Sequence, residues 1–247
     1  MNLRICAIFV FALAIFSPAR SLTAQADNTL SQRELHSGWK LLFDGKTTHG
    51  WRGAYMTSFP AKGWVVKDGE LRGTFTGSKE VHSGGADIVT LRKYRDFDLL
   101  FDWKLVPGGN SGVKYFVQER LPKPLGSQPG YEYQLIDDAN PIYEGGPLPG
   151  IQKTAAIYDI VAPNKPDTKV GIWHRSRIRV RGNHIEHWLD GVKVIDVERT
   201  SELFQNGVKK SKFSHYPNFA SLSSGYILLQ DHGSDVAFKN IKIKELN

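Results

Sequence analysis

The chain has 247 residues, 40% of them hydrophobic and 23% charged, with 24 glycines, 12 prolines and 2 methionines. That composition supplies one sizeable core or at most two, excludes a disordered chain, and suits short strands and turns better than a helix bundle or coiled coil. The net charge of +7 falls to +5 without residues 1–26, which carry Arg4, Arg20 and no acid, and the densest basic run, Lys209-Lys210-Ser211-Lys212, reads as a solvated loop, so no nucleic-acid partner is expected.

Residues 1–26 read as a secretory signal peptide. Arg4 provides the positive start, Ile5 to Phe16 is a short apolar run ended by Ser17-Pro18, and Ala24-Gln25-Ala26 is a small-x-small cleavage site. No stretch reaches the ~20 apolar residues of a membrane span. Cleavage near Ala26 removes Cys6, the only cysteine, and with it disulfide and thiolate chemistry. The expected location is the periplasm or the cell exterior. Residues 27–37 form an N-terminal extension with a helical turn over Leu30–Leu35, and residues 38–247 form one domain.

Within that domain the apolar period is two. Strands are predicted at Trp39–Phe43, Trp64–Val66, Glu70–Gly73, Ile88–Leu91, Phe97–Leu105, Gly112–Gln118, Tyr131–Ile136, Ala155–Ile160, Ser176–Arg181, His184–Leu189, Val192–Val197, Tyr226–Gln230 and Val236–Lys244, with a helical turn at Ser201–Asn206. Turn pairs such as Asp68-Gly69, Gly182-Asn183 and Asp190-Gly191 separate them. This is an all-β pattern, a sandwich of two antiparallel sheets or a barrel. The Pro-rich stretches Leu121–Gly130 and Ile142–Pro149 are long loops of the kind that rim a site.

Alternation selects candidate residues. Glu132 and Gln134 share one face of their strand; Gln230 and His232 share one face of another; His187 shares an apolar face with Ile185 and Leu189. So many polar groups in strands point to a site rather than to packing, because each buried one needs a partner. A solvent-exposed outer face, and for His187 a core position, are the structural alternatives.

An ordered set of motifs resembles the 3-keto-disaccharide hydrolase domain family. It comprises Gly38-Trp39 with Leu42-Phe43-Asp44-Gly45-Lys46, Gly50-Trp51, Asp96-Phe97-Asp98-Leu99, Asn110-Ser111-Gly112-Val113-Lys114-Tyr115 and Tyr131-Glu132-Tyr133-Gln134-Leu135-Ile136-Asp137. It continues through Ala156-Ile157-Tyr158-Asp159, the hairpin from Gly182 to Gly191, Leu229-Gln230-Asp231-His232-Gly233 and Phe238-Lys239-Asn240-Ile241. The chain departs at Asp190, where the family usually has Asn, and at Trp173-His174, where it usually has Trp-Asn.

The resemblance implies a concanavalin-like jelly-roll sandwich that cleaves glycosides oxidised to a ketone at C3. A sugar C3 dehydrogenase would then supply the substrate. The paired-carboxylate strand motif of retaining glycosidases is absent, which disfavours double displacement. A ketone at C3 acidifies the C2 proton and places the C1–O bond β to the carbonyl. One base and one electrophile then suffice for elimination, with water added afterwards. Glu132 or His187 is the candidate base, and Lys114, His232 or a divalent ion the candidate electrophile. Gln134, Gln230, His232 and Asp137 are candidate substrate contacts, and Trp103 either stacks on a sugar or fills the core. No H-x-H or H-E-x-x-H spacing marks a metal, so a divalent ion stays open. The competing class is a non-catalytic carbohydrate-binding module on the same fold.

Overall fold

The computed structural model describes residues 25–74, 87–120, 129–140 and 147–246. The predicted leader up to residue 24, and most of both Pro-rich loops, lie outside the described residues. All strand pairs are antiparallel, in two sheets. The larger has eight strands: β1 (Trp39–Leu41), β3 (Trp64–Lys67), β4 (Glu70–Gly73), β6 (Phe97–Leu105), β9 (His174–Arg181), β10 (His184–Leu189), β11 (Val192–Glu198) and β13 (Val236–Glu245), in the order β11-β10-β9-β6-β13-β4-β3 with β1 also on β13. The smaller has β2 (Trp51–Gly53), β5 (Ile88–Tyr94), β7 (Asn110–Val117), β8 (Tyr131–Ile136) and β12 (Gly225–Leu229), in the order β2-β5-β12-β7-β8. This is the two-sheet β-sandwich that the period-two pattern and the resemblance predict, with two short helices, α1 (Gln32–His36) and α2 (Glu202–Lys210).

The sheets meet through their alternating apolar faces. Leu99, Phe101, Trp103, Ile178, Val180, Ile185 and Phe238 of the large sheet face Val113, Tyr115, Tyr131, Tyr133, Ile227 and Leu229 of the small one, all of them at most 1% exposed. Buried hydroxyls find partners across this layer, as burial requires. Tyr133 Oη lies 2.8 Å from Ser176 Oγ, and Trp103 Nε1 donates to the same Oγ at 2.8 Å.

Strict alternation fails in β13, where left-handed Asn240 (φ +54°) lets both Phe238 and Ile241 reach the core, and in β7. Phe116 has φ +57° and turns inward beside Tyr115, so Val117 faces outward. The matching register shift in β12 lies between Tyr226 and Leu228. Gly225 makes this possible, because a Cβ there would lie 2.2 Å from the Phe116 carbonyl carbon.

Three elements differ from the sequence reading. Ala155–Ile160 is a chain of turns, not a strand. It hydrogen-bonds the free edge of β8 (Ala155 N to the Gln134 carbonyl, Tyr158 N to the Glu132 carbonyl), but left-handed Ala155 (φ +70°) and Asp159 (φ +63°) bend it out of extension. Trp51–Gly53 forms a three-residue strand, too short to show a period. Lys209 and Lys210 belong to the last turn of α2 rather than to a loop, next to its unsatisfied carbonyls, while Lys212 lies 4.4 Å from the Tyr158 ring centroid.

Two further contacts fix the periphery. Asn28 and Asn240 exchange backbone-to-side-chain hydrogen bonds at 2.6 and 2.8 Å, tying the N-terminal segment to β13. The two departures from the family pattern meet: His174 Nδ1 lies 2.7 Å from Asp190 Oδ2, and Asp190 Oδ1 accepts the Arg175 N–H at 2.9 Å.

Candidate active site

The outward face of the small sheet carries the polar residues. Cross-strand register places Glu132 of β8 opposite Lys114 of β7, and Lys114 opposite Leu228 of β12, with Val89 of β5 beyond it. The next row brings Gln134 of β8 opposite Gly112 of β7, and Gln230, just past β12, donates its backbone N–H to the Gly112 carbonyl at 2.9 Å. Strand pairing thus gathers side chains from β7 and β8, neighbours in sequence, and from β12, about ninety residues later.

Lys114 and Glu132 form the centre. Their Nζ and Oε2 are 3.4 Å apart, and the side chains are 1% and 6% exposed, so the two charges compensate each other in a poorly hydrated setting. The carboxylate rests on the backbone of Gly112: a Cβ at that position would lie 2.4 Å from Glu132 Oε1. The Oε1 atoms of Gln134 and Gln230 are buried without a hydrogen-bond partner.

His232 follows two residues after Gln230 and is half-buried. Burial pushes its imidazole below the ordinary histidine range, against the opposing pull of Glu132 and Asp87 and with a small push from the Lys114 charge. It is therefore neutral near pH 7 and able to accept a proton. Sequence reasoning missed Asp87, which is 1% exposed; its Oδ1 accepts the Asp231 N–H at 2.9 Å, and Asp231 Oδ1 accepts the Gly233 N–H at 3.0 Å. These carboxylates hold the turn that carries His232. Extending the alternation of β5 back one residue from Ile88 would have put Asp87 on this face.

Three predicted site residues lie elsewhere. His187 is in the core between the sheets with no exposed surface, its Nε2 3.0 Å from Tyr115 Oη and its Nδ1 2.9 Å from the Ala155 carbonyl. Burial lowers its pKa to about 4. It faces the opposite side of the small sheet from Glu132, so it cannot share a substrate with it. Trp103 is also fully buried in that core, tilted over His174 at 4.8 Å. Asp137 spends both carboxylate oxygens on backbone amides: Oδ2 accepts Gly108 N at 2.8 Å and Oδ1 accepts Ala139 N at 3.1 Å, so it fastens the turn before β7.

The carboxylates and imidazole of the site do not form a convergent metal-ligand trio among the described residues. The group that does converge within 4.8 Å is His184, Glu186 and Asp196 on the outer face of the large sheet, where the Lys193 ammonium already bridges Glu186 and Asp196.

Comparison with known proteins gives concordant results. Residues 38–244 match the profile of the 3-keto-alpha-glucoside-1,2-lyase-like domain. The chain is 30% identical over 251 residues to a 3-keto-disaccharide hydrolase from Bacteroides thetaiotaomicron, covering 94% of this chain and 86% of the relative. Two solved structures from Parabacteroides distasonis, both provisionally described as glycosyl hydrolases, superpose on it. One is 36% identical with a TM-score of 0.79, covering 90% of this chain and 100% of the other; the second is 27% identical with a TM-score of 0.63, covering 84% and 99%.

Proposed function

Because the chain belongs to the 3-keto-alpha-glucoside-1,2-lyase-like domain family, we propose that it is an exported carbohydrate-active enzyme that cleaves the glycosidic bond of 3-keto-glycosides by elimination followed by hydration. The observation that carries this reading is the buried Lys114–Glu132 pair, with its charges 3.4 Å apart on neighbouring strands. The acidic proton and the ketone oxygen of such a substrate sit on neighbouring carbons, C2 and C3, so one base and one cation a few ångströms apart reach both.

Glu132 takes the C2 proton. The C–H electron pair forms the C1=C2 bond, and the C1–O pair leaves with the aglycone, whose oxygen takes a proton from solvent. Lys114 holds the ketone oxygen while negative charge develops on it, which at a desolvated site contributes on the order of 10²–10³ in rate. Water then adds: neutral His232 takes a proton from the water whose oxygen bonds C1 and passes it to solvent, replacing the one the aglycone took, and Glu132 returns its proton to C2. The net reaction consumes one water and releases a 3-keto sugar and the free aglycone. Supply of the substrate falls to a dehydrogenase that oxidises a sugar at C3.

Incubation with a 3-keto-glucoside and with its unoxidised parent, following aglycone release with and without chelator, tests the reading. Selective cleavage of the ketone is the expected result. Comparable cleavage of the parent sinks the elimination mechanism, and binding of both without cleavage favours a carbohydrate-binding module instead.

A further inference from the structure

A third buried amide oxygen lies on this face. Asn110, two residues before Gly112 on β7 and therefore on the same side, is 7% exposed, and its Oδ1 has no hydrogen-bond partner. Gln134 faces Gly112 from β8, and Gln230 abuts it from the β12 side; they are 2% and 4% exposed, with unpartnered Oε1 atoms. Three buried acceptors thus surround the one position of the row that has no side chain, while the ammonium of Lys114 stands two residues beyond it. Each such oxygen destabilises the fold unless something donates to it.

We propose that the Glu132 carboxylate, seated on Gly112, is the floor of a sugar-ring subsite, with Asn110, Gln134 and Gln230 accepting hydrogen bonds from three separate hydroxyls and Lys114 receiving the carbonyl. This deepens the reading above and rests on it for the identity of the carbonyl. The orientation follows from the chemistry of the groups. A ketone has no proton to give to an amide oxygen, and a charged ammonium is a stronger donor than an amide NH2, so the carbonyl edge is placed toward Lys114. Hydroxyls satisfy all three acceptors at once. Gly112 determines specificity because the Glu132 carboxylate fills the space above it, and any side chain there would displace that carboxylate.

The test is calorimetric titration of methyl 3-keto-glucoside into the wild type and into Asn110→Leu, Gln134→Met, Gln230→Met and Gly112→Ala, with melting temperatures recorded alongside. Each amide replacement should weaken binding about tenfold while leaving the melting temperature unchanged or higher, since it deletes a buried oxygen that lacks a partner. A purely structural amide would give the opposite pattern, a lower melting temperature with binding intact. Gly112→Ala should abolish binding. A ligand lacking one hydroxyl should lose the same tenfold on the wild type and nothing further on one of the three amide variants. Equal affinity in all the variants overturns the proposal. If the pattern appears but the wild type leaves the ligand intact on long incubation, the subsite stands and the eliminase reading falls. If the ligand is cleaved but the variants bind it as the wild type does, the subsite falls and the eliminase reading stands.

Discussion

Glu132 and Lys114 share one desolvated ion pair, so neither can be changed alone without consequence for the fold. Glu132→Gln should lower kcat by about 10²-fold or more. It should also cost about 3 kcal/mol of stability, since Lys114 keeps its buried charge and loses a carboxylate. The double variant Lys114→Met/Glu132→Gln should recover most of the melting temperature and none of the turnover; recovered turnover would remove the pair from the chemistry. For His232, whose imidazole is held below its usual range, the acid limb of the kcat profile should fall below pH 6.5, and His232→Gln should remove that limb. His187 belongs to stability instead. Its folded pKa of about 4 lies below the unfolded 6.5, so the unfolded chain binds the proton first on acidification. The contribution is intact above pH 6.5 and is lost as the pH falls toward 4, about 3 kcal/mol in all. Melting temperatures across that window should decline for the wild type and decline less for His187→Gln. The sequence distinguishes the two kinds of residue only in part. Alternation showed that Glu132 shares a face with Gln134, and that His187 shares one with Ile185 and Leu189, but which side of a sheet meets the other sheet is a property of packing. The apolar company of His187 was the readable hint.

The elements that were hardest to read are those where tertiary contact overrides local pattern. Ala155–Ile160 has the composition of a strand and even bonds to β8, yet two left-handed residues prevent extension. The bulge at Phe116 is invisible in the sequence because it depends on Gly225, more than a hundred residues away. By contrast, the turn of the β10–β11 hairpin was legible: Asp190 (φ +48°) and Gly191 (φ +83°) supply the two left-handed positions that a two-residue turn demands. Helix α2 yields a prediction that reverses a common rule. Replacing a mid-helix glycine by alanine usually stabilises by about 1 kcal/mol. At Gly207 the new Cβ would lie 2.5 Å from the Ile160 carbonyl oxygen, a backbone atom that cannot rotate away. Gly207→Ala should therefore lower the melting temperature, and a rise would mean that α2 does not dock on Ile160.

For the molecule as a whole, two antiparallel sheets and the residues of one outward face could be anticipated, because period two and turn chemistry are local signals. Which strands are neighbours could not, since β13 pairs with β1, β4 and β6 across most of the chain length. Export carries its own test: protein recovered from the periplasm or medium should have an intact mass starting near Asp27, and retention of Cys6 would refute the leader. The new terminus would leave Asn28 free to keep its reciprocal bonds with Asn240. The contact between His174 and Asp190, the two positions at which the sequence departs from the pattern its resemblance rests on, also bears on heredity. Sixteen residues separate them along the chain. A recombination crossover between codons 174 and 190 with a relative that carries asparagine at both positions would mate one partner with that parent's asparagine. Such chimaeras should melt below both parents, while crossovers outside the interval transmit the pair together. The two positions thus behave as a single linked allele, and a shuffled library of relatives should be depleted of recombinants within that short interval.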